Sequence, residues 1–103
     1  MPVVRISNSK FDPAHADDAE RLMAESERAL RSALMAQPGL LHFYAGIDRV
    51  RGVLTNVSVW ASLEDAHRLD TLPEMLAQRP ILEAAGIKFE PITNHETLWT
   101  ITS

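Results

Sequence analysis

Polar and aromatic side chains that can do chemistry lie close together in the sequence TNVSVWASLEDAHRL, at positions 55–69. Asn56 and Trp60 are four residues apart, and even spacing along a strand places side chains on one face. An amide and an indole N–H on one face can donate hydrogen bonds to a substrate oxygen that gains negative charge during a reaction. Asn is depleted in strands, and a buried amide needs hydrogen-bond partners. Trp60 has a second interpretation, as the large apolar side chain that fills a core at a strand end.

Two alternating runs, LLHFYAGID and VLTNVSVWA, predict a β-hairpin around these residues. Opposed residues of a hairpin lie on one face, so the register decides which side chains meet. A three-residue loop at 50–52, with Gly52 in a left-handed conformation, satisfies the face pattern. It predicts a pocket in which His42 faces Trp60, Tyr44 faces Ser58 and Gly46 faces Asn56. A register that slides one strand by two residues keeps the same faces together and is the alternative.

The two faces of the predicted hairpin differ in composition. An aliphatic face consists of Phe43, Ile47, Val57 and Val59. The opposite face carries Leu40, Tyr44, Leu54 and Trp60. Two helices can cover one side of an antiparallel sheet, and we expect them on the aliphatic side. The remaining apolar face is larger than monomers usually leave in water, which predicts a homodimer packed sheet against sheet.

The remaining segments predict a β-α-β-β-α-β order. Residues 3–9 alternate as a strand, and a long amphipathic helix follows between a capping Asp12 and Gly39. Ser62 caps a second helix that ends at Pro73, and 73–86 suggests short helical turns rather than one long helix. An extended segment broken near Pro91 ends the chain. This order predicts an α+β protein with a ferredoxin-like fold and a four-stranded antiparallel sheet.

Composition limits the classes of function. The chain has 103 residues, a formal net charge of −4 and no Cys, and we expect a single domain at 1–103. Without a basic stripe, nucleic-acid binding is not expected. No two His have metal-ligand spacing, so no metal site is predicted. The first residues contain no long apolar run, so we expect no membrane partner and a cytoplasmic location.

The element order, the passage QPGLL at 37–41 and the sequence NVSVWASLEDAHRL resemble the antibiotic biosynthesis monooxygenase family of the dimeric α+β barrel superfamily. The resemblance implies a ferredoxin-like protomer, a homodimer whose sheets form a barrel, and a pocket between sheet and helices. Cofactor-free oxygenases of the family carry an Asn four residues before a strand-end Trp, as Asn56 and Trp60 do. Arg79 approximates a later Arg of those enzymes, whereas their helical Tyr is replaced near Ala66.

This resemblance implies cofactor-independent oxygenation of a small aromatic phenol or quinol. Such a substrate, once deprotonated, can itself give an electron to dioxygen, so the protein needs only an apolar slot, oxyanion donors and a base. The candidate catalytic residues are Asn56 and Trp60 as donors and His42 as base, and the candidate substrate-binding residues are Tyr44, Ser58 and Arg79. His42 has an alternative structural role, in which it bonds Tyr44 or a backbone carbonyl.

Two other functions remain open at this point. A non-catalytic or stress-associated binder of a small ligand would use the same barrel, with its polar residues serving only to satisfy buried hydrogen bonds. A haem-degrading monooxygenase, the third option, would use Asn8, Trp60 and His67, which occur in the order found in that branch of the superfamily. His67 itself, beside Glu64 and Asp70, is otherwise interpreted as a solvated helix position.

Overall fold

The computed structural model describes all 103 residues. The chain forms one antiparallel sheet, and helices cover one face of that sheet. The strands are β1 (Val3–Lys10), β2 (Leu40–Asp48), β3 (Val53–Trp60), β4 (Lys88–Phe89) and β5 (Thr93–Glu96); the helices are α1 (Ala16–Met35), α2 (Leu63–His67) and α3 (Pro73–Ala84), with 3-10 turns at Pro13–His15 and Arg68–Thr71. The sheet order is β2-β3-β1-β4, and β5 also pairs with β1. The predicted α+β, ferredoxin-like protomer is confirmed.

Short-range sequence signals set both ends of α1. Asp12 precedes the 3-10 turn and accepts a hydrogen bond from the Ala14 amide at 2.9 Å. Leu30 and Leu34, one turn apart on α1, are buried against the sheet. Gly39 follows the helix with φ of 80°, a conformation that glycine adopts without steric cost. Its position directly before β2 turns the chain back into the sheet.

The hairpin of β2 and β3 is present, but its predicted loop is one residue too short. Asp48 pairs with Val53, so four residues form the loop. Asp48 accepts hydrogen bonds from the backbone amides of Val50 and Arg51 at 3.1 and 3.0 Å, which stabilises the turn. Gly52 has φ of 70°, as the prediction required.

The predicted register of this hairpin is wrong by one residue. Tyr44 pairs with Val57 rather than with Ser58. At the far end, a β-bulge between Leu40 and His42 absorbs the shift. Because side chains alternate with a period of two, one residue of slip exchanges the faces of one strand relative to the other.

The predicted face assignment is confirmed for Phe43, Ile47 and Tyr44 of β2 but is wrong for β3. The helix-covered face of the hairpin carries Phe43, Ala45, Ile47, Leu54, Asn56, Ser58 and Trp60, and the outer face carries His42, Tyr44, Gly46, Thr55, Val57 and Val59. Trp60 packs with Leu30 and Leu34, and Leu54 packs with Ala19. The helices thus cover a face of mixed composition, and two valines predicted to lie beneath them face outward.

The segment after β3 differs from the predicted short turns. Ser62 caps α2 by accepting from the Asp65 amide at 3.2 Å, as expected from the sequence. Pro73 occupies the first turn of α3, but α3 then continues through Pro80 to Ala84 as one helix. Pro80 has no N–H to donate to the Leu76 carbonyl, so α3 lacks one internal hydrogen bond.

The last strand is interrupted near Pro91, as predicted, and forms β4 and β5. Both pair with β1, so β1 lies in the centre of the sheet and has neighbours along both edges. After β5, Leu98, Trp99 and Ile101 are 84%, 76% and 82% exposed. No helix in the chain is both long and apolar enough to cross a membrane.

Candidate functional site

A cavity of about 460 Å³ lies between the helix-covered face of the sheet and the helices α1 and α3. Its apolar walls are Met23, Leu30 and Leu34 from α1, Met75, Leu76 and Leu82 from α3, Leu40, Phe43 and Ala45 from β2, and Leu69, Phe89 and Ile92. This volume lies in the range of small-molecule sites, which combine apolar walls with a few polar groups. The cavity is therefore the candidate functional site.

One group of polar residues in the cavity comes from the centre of the sheet and from the turn after α2. Arg5 and Ser7 of β1, Asn56 of β3 and Asp70 of the second 3-10 turn line one part of its surface. Ser7 is directly opposite Asn56, and Arg5 is directly opposite Ser58, one pair further along the same face. Arg5 and Asn56 are thus diagonal neighbours on adjacent strands, close enough for one ligand to contact both.

Asn56 has an unsatisfied polar atom at this wall. Its Oδ1 is buried and has no hydrogen-bond partner within the chain. A buried acceptor without a partner costs about 1–3 kcal/mol, so such an atom in a native structure calls for a ligand or a water molecule. The structure places Asn56 in the predicted pocket region, although its neighbours there are not the predicted ones.

Arg5 is a buried cation at the same wall, with only 4% of its surface exposed. Its Nη2 lies 2.9 Å from Asp70 Oδ1, and its Nη1 donates to the Ala66 carbonyl at 3.3 Å. Burial raises the pKa of the Asp70 carboxyl, but hydrogen bonds from His67 and Arg5 outweigh this effect and hold the pKa below its usual value. Asp70 therefore stays ionised and fixes the guanidinium in place.

Exposed charged residues of α1 and α3 also line the cavity. Glu27 and Arg31 form an exposed ion pair on α1. Arg79 of α3, a predicted substrate-binding residue, lines the cavity with its Cζ 5.2 Å from the centre of the Phe89 ring. The guanidinium of Arg79 thus lies over the face of Phe89 in a cation–π contact.

Trp60 and Ser58 are not on the cavity wall. Trp60 is fully buried, and its Nε1 donates to Ser58 Oγ at 2.8 Å. The only donor of the indole is thus already used inside the core. In this structure Trp60 has the alternative role named above, as the large apolar side chain of the core, and Ser58 serves as its partner.

His42 and Tyr44 lie on the outer face of the sheet, away from the cavity. Their rings stack with centroids 5.9 Å apart and an interplanar angle of 18°, and Tyr44 is 58% exposed. The predicted pocket that joins them to Trp60 and Asn56 is wrong, because the one-residue register shift puts the two pairs on opposite faces. Within one chain, His42 cannot act on a ligand beside Asn56.

Solved structures resemble this chain over nearly its whole length. A Deinococcus radiodurans protein proposed to be an antibiotic biosynthesis monooxygenase superposes with a TM-score of 0.74 at 19% identity, covering 98% of this chain and 97% of that one. SnoaB from Streptomyces nogalater, described as a cofactor-independent oxygenase, gives 0.66 at 17% identity over 99% and 98% of the two chains. The chain shares the antibiotic biosynthesis monooxygenase fold. Rv0793 from Mycobacterium tuberculosis gives 0.71 at 15% identity over 99% and 100%. No known family profile and no curated protein matches the sequence.

The residues that a haem-degrading member of this fold would need do not meet. Asn8 pairs with Thr55 on the outer face, whereas Trp60 lies beneath the helices. His67 is exposed on α2 and does not line the cavity, and its Nδ1 lies 3.1 Å from Asp70 Oδ2. The prediction that His67 is a solvated helix position agrees with this exposure.

Sequence reasoning missed Arg5 and Asp70 as cavity residues. The alternation of β1 separates Arg5 and Ser7 from Val4 and Ile6, but does not say which pair faces the helices. The one local signal was the Arg itself, because a charged side chain on a covered strand face needs a buried partner.

Proposed function

We propose that the chain is a cofactor-independent monooxygenase that acts on a small aromatic phenol or quinol held between the sheet and the helices. One observation carries the proposal: an apolar cavity of about 460 Å³ contains the buried, unpaired amide oxygen of Asn56. SnoaB, which shares the fold, is described as a cofactor-independent oxygenase. A flat aromatic substrate fits the apolar walls, and its hydroxyl group supplies the missing donor to Asn56.

The proposed reaction uses the electron-rich ring of the substrate itself. After loss of its proton, the phenol or quinol passes one electron to dioxygen, and the ring radical and superoxide so formed join through a new C–O bond. The peroxide takes up a proton, and loss of water breaks its O–O bond, which leaves one oxygen atom on the ring as a quinone carbonyl and the other in water. The protein binds, orients and shields these species from solvent. Asn56 positions an oxygen of the substrate, and Arg79 of α3 contacts the substrate. These roles require side chains from two layers of the protomer, the sheet and α3.

The proton acceptor is not His42 within one chain, since His42 lies on the other face of the sheet. Asp70 lines the cavity, but its lowered pKa makes it a weak base at neutral pH. The proposal therefore favours substrates whose hydroxyl groups ionise easily, over substrates that need a strong general base.

Oxygen consumption tests the proposal. We expect the protein to consume dioxygen with at least one member of a panel of polycyclic quinols. Asn56→Ala should lower kcat/KM about ten- to a hundredfold, since it removes a hydrogen bond at the substrate oxygen. Asn8→Ala is the matched control, because it removes the same side chain from the opposite face of the sheet; with the mass of the assembly shown to be that of wild type, it should leave kcat/KM unchanged.

Two outcomes count against this function. Wild-type protein that consumes no dioxygen with any quinol of the panel is not the proposed oxygenase. Equal losses in the Asn56 and Asn8 variants would show that the cavity is not where the substrate reacts.

The unpaired Asn56 also favours a second candidate, a small-ligand binder without catalysis on the same fold. In such a binder, a hydroxyl group of the ligand donates a hydrogen bond to the Asn56 amide oxygen, and no reaction follows. It predicts a saturable aromatic ligand whose binding is weakened by Asn56→Ala, together with the absence of dioxygen consumption and of any change in the recovered ligand.

We also propose that the protein works as a homodimer packed through the outer face of the sheet. That face carries Tyr44, which is 58% exposed, together with two valines of β3 and the aliphatic side chains of β1. The apolar residues after β5 extend from the same sheet and are also uncovered. Such an area in one region is typical of a surface that binds another protein.

A further inference from the structure

The central strand β1 places polar side chains where a core is expected. Arg5 and Ser9 are 4% and 5% exposed, and Ser7 between them lines the cavity, so three successive positions of the helix-covered row of β1 are polar and only Val3, at its start, is apolar. Charged side chains are rarely buried to this extent unless they are paired. Folding alone would be served as well by apolar residues at these positions, because burying an ion pair gives little net stability. The row therefore calls for a functional explanation.

The guanidinium of Arg5 keeps hydrogen-bonding capacity for a ligand. It has five N–H donors on three nitrogens. Nη1 donates to the Ala66 carbonyl and Nη2 pairs with Asp70, whereas Nε has no acceptor in the chain. The same side chain lines the cavity. Donors held in place by fixed acceptors can bind a negative oxygen without rearranging first.

We propose that Arg5 binds the ionised oxygen of an aromatic diol, and that Asn56 accepts a hydrogen bond from its second hydroxyl group. The two side chains are diagonal neighbours on β1 and β3 and offer opposite chemistry, a cationic donor and a neutral acceptor. A ligand that satisfies both carries one ionised and one protonated hydroxyl group. This inference rests on the proposed function for the phenolic nature of the ligand, but not for its oxidation.

Binding of the anion by Arg5 also accounts for the lack of a strong base in the cavity. An apolar cavity alone disfavours a charged ligand and raises the pKa of a bound phenol. The ionised Asp70, which pairs with Arg5 and also lines the cavity, acts in the same direction as the apolar walls. A guanidinium in direct contact with the oxygen lowers the pKa against both, so the phenol can lose its proton to water or buffer on binding. The effect of Arg5 has the opposite sign to the other two, which makes its role measurable.

The probe is 2-naphthol, whose absorbance distinguishes the naphthol from its anion and which needs no oxidation to report binding. With protein in excess, we expect the pKa of bound 2-naphthol to lie below its value in water. An unchanged or raised pKa, or the absence of binding, overturns the proposal even if no variant can be prepared.

Variants assign the shift to Arg5. Arg5→Met should return the pKa of bound 2-naphthol to its value in water or above, and should weaken binding of the anion about ten- to a hundredfold. Naphthalene, which has no oxygen, should bind this variant within about twofold of wild type. Arg28→Met, which removes an exposed arginine of α1 outside the cavity, is the matched control and should change neither value. A lowered pKa that persists in folded Arg5→Met overturns the assignment.

A second ligand tests the role of Asn56. We expect 2,7-dihydroxynaphthalene to bind wild type more tightly than 2-naphthol, and Asn56→Ala to remove that advantage while Asn8→Ala retains it. Equal affinities of the two ligands for wild type contradict the diol part of the proposal. Lowered ligand pKa without dioxygen consumption leaves this inference standing and rejects the oxygenase function, whereas consumption without a lowered pKa does the reverse.

Discussion

Asn56 and Trp60 share one strand face and one sequence spacing, yet their polar atoms have different surroundings. The indole N–H of Trp60 reaches Ser58 two residues earlier, so its hydrogen bond is made within β3. The Oδ1 atom of Asn56 is buried and has no hydrogen-bond partner in the chain. At the level of single residues, the amide is therefore available to a ligand and the indole is not.

Asp70 gives the protein a measurable dependence of stability on pH. Its folded-state pKa lies below the ordinary value of 3.8, because the hydrogen bonds from His67 and Arg5 outweigh the effect of burial. A carboxyl whose pKa is lowered by folding contributes stability above its unfolded pKa and loses it as the pH falls through the folded value. The contribution is thus present at neutral pH and disappears below about pH 4.

We expect Asp70→Asn to lower the free energy of unfolding by about 1–3 kcal/mol at neutral pH, because Arg5 loses its charged partner. Urea denaturation at several pH values measures this difference, which should shrink as the pH falls below about 4. Glu90→Gln, at an exposed carboxylate without an ion-pair partner, is the control and should have little effect. A difference that is the same at pH 3 and pH 7 would show that Asp70 does not act through its charge.

At the level of elements, the sequence predicted which strands and helices form but not how two strands align. The caps at Asp12 and Ser62 and the stop at Gly39 are local signals, each readable from a few residues. Alternation in β3 is ambiguous, since Val57 and Val59 suit a covered face as well as Leu54 and Trp60 do. The loop length and the bulge after Leu40 decide the register, and neither has a distinctive sequence.

Gly52 is the position of the hairpin loop at which a side chain is most unfavourable, both for its backbone conformation and for the space around it. Its φ of 70° is unfavourable for residues with a Cβ, and a Cβ there would overlap the carbonyl oxygen of Phe11. We expect Gly52→Ala to lower the free energy of unfolding by at least about 1–2 kcal/mol. Gly46→Ala is the control in the same hairpin, because its Cβ would meet only the Thr55 methyl group at 3.4 Å.

Chemical denaturation of the two glycine variants measures this difference. The Gly46 variant should lie within about 0.5 kcal/mol of wild type. Equal losses at both positions would mean that the loop adopts another conformation in solution.

For the whole molecule, the proposed homodimer through the outer face of the sheet can be tested by the state of association. We expect sedimentation equilibrium to give twice the chain mass of 11.5 kDa. Tyr44→Asp, which puts a charge in the proposed interface, should shift the protein toward the monomer. Ala24→Asp adds the same charge to an exposed position of α1 and should leave the mass unchanged. A wild-type monomer at micromolar concentration contradicts the homodimer.

The place of Arg5 in the cavity could not be predicted from the sequence, because it depends on the order of the strands. The alternation of β1 predicts that Arg5 and Ser7 share a face, but only the complete fold shows that this face lies beneath α1 and α3. Asn56 could be selected from its own strand because an amide is unusual there. Arg5 needed the packing of three separate segments, which a local pattern does not contain.

Pro80 gives the two helical walls of the cavity unequal stiffness. Because the Leu76 carbonyl has no backbone donor one turn later, α3 bends at less energetic cost than the continuous α1. A ligand wider than the cavity can thus be accommodated by bending of α3, while the sheet, which carries Arg5 and Asn56, keeps its shape. We expect a tolerance for ring systems of different bulk, combined with strict demands on where their oxygens sit.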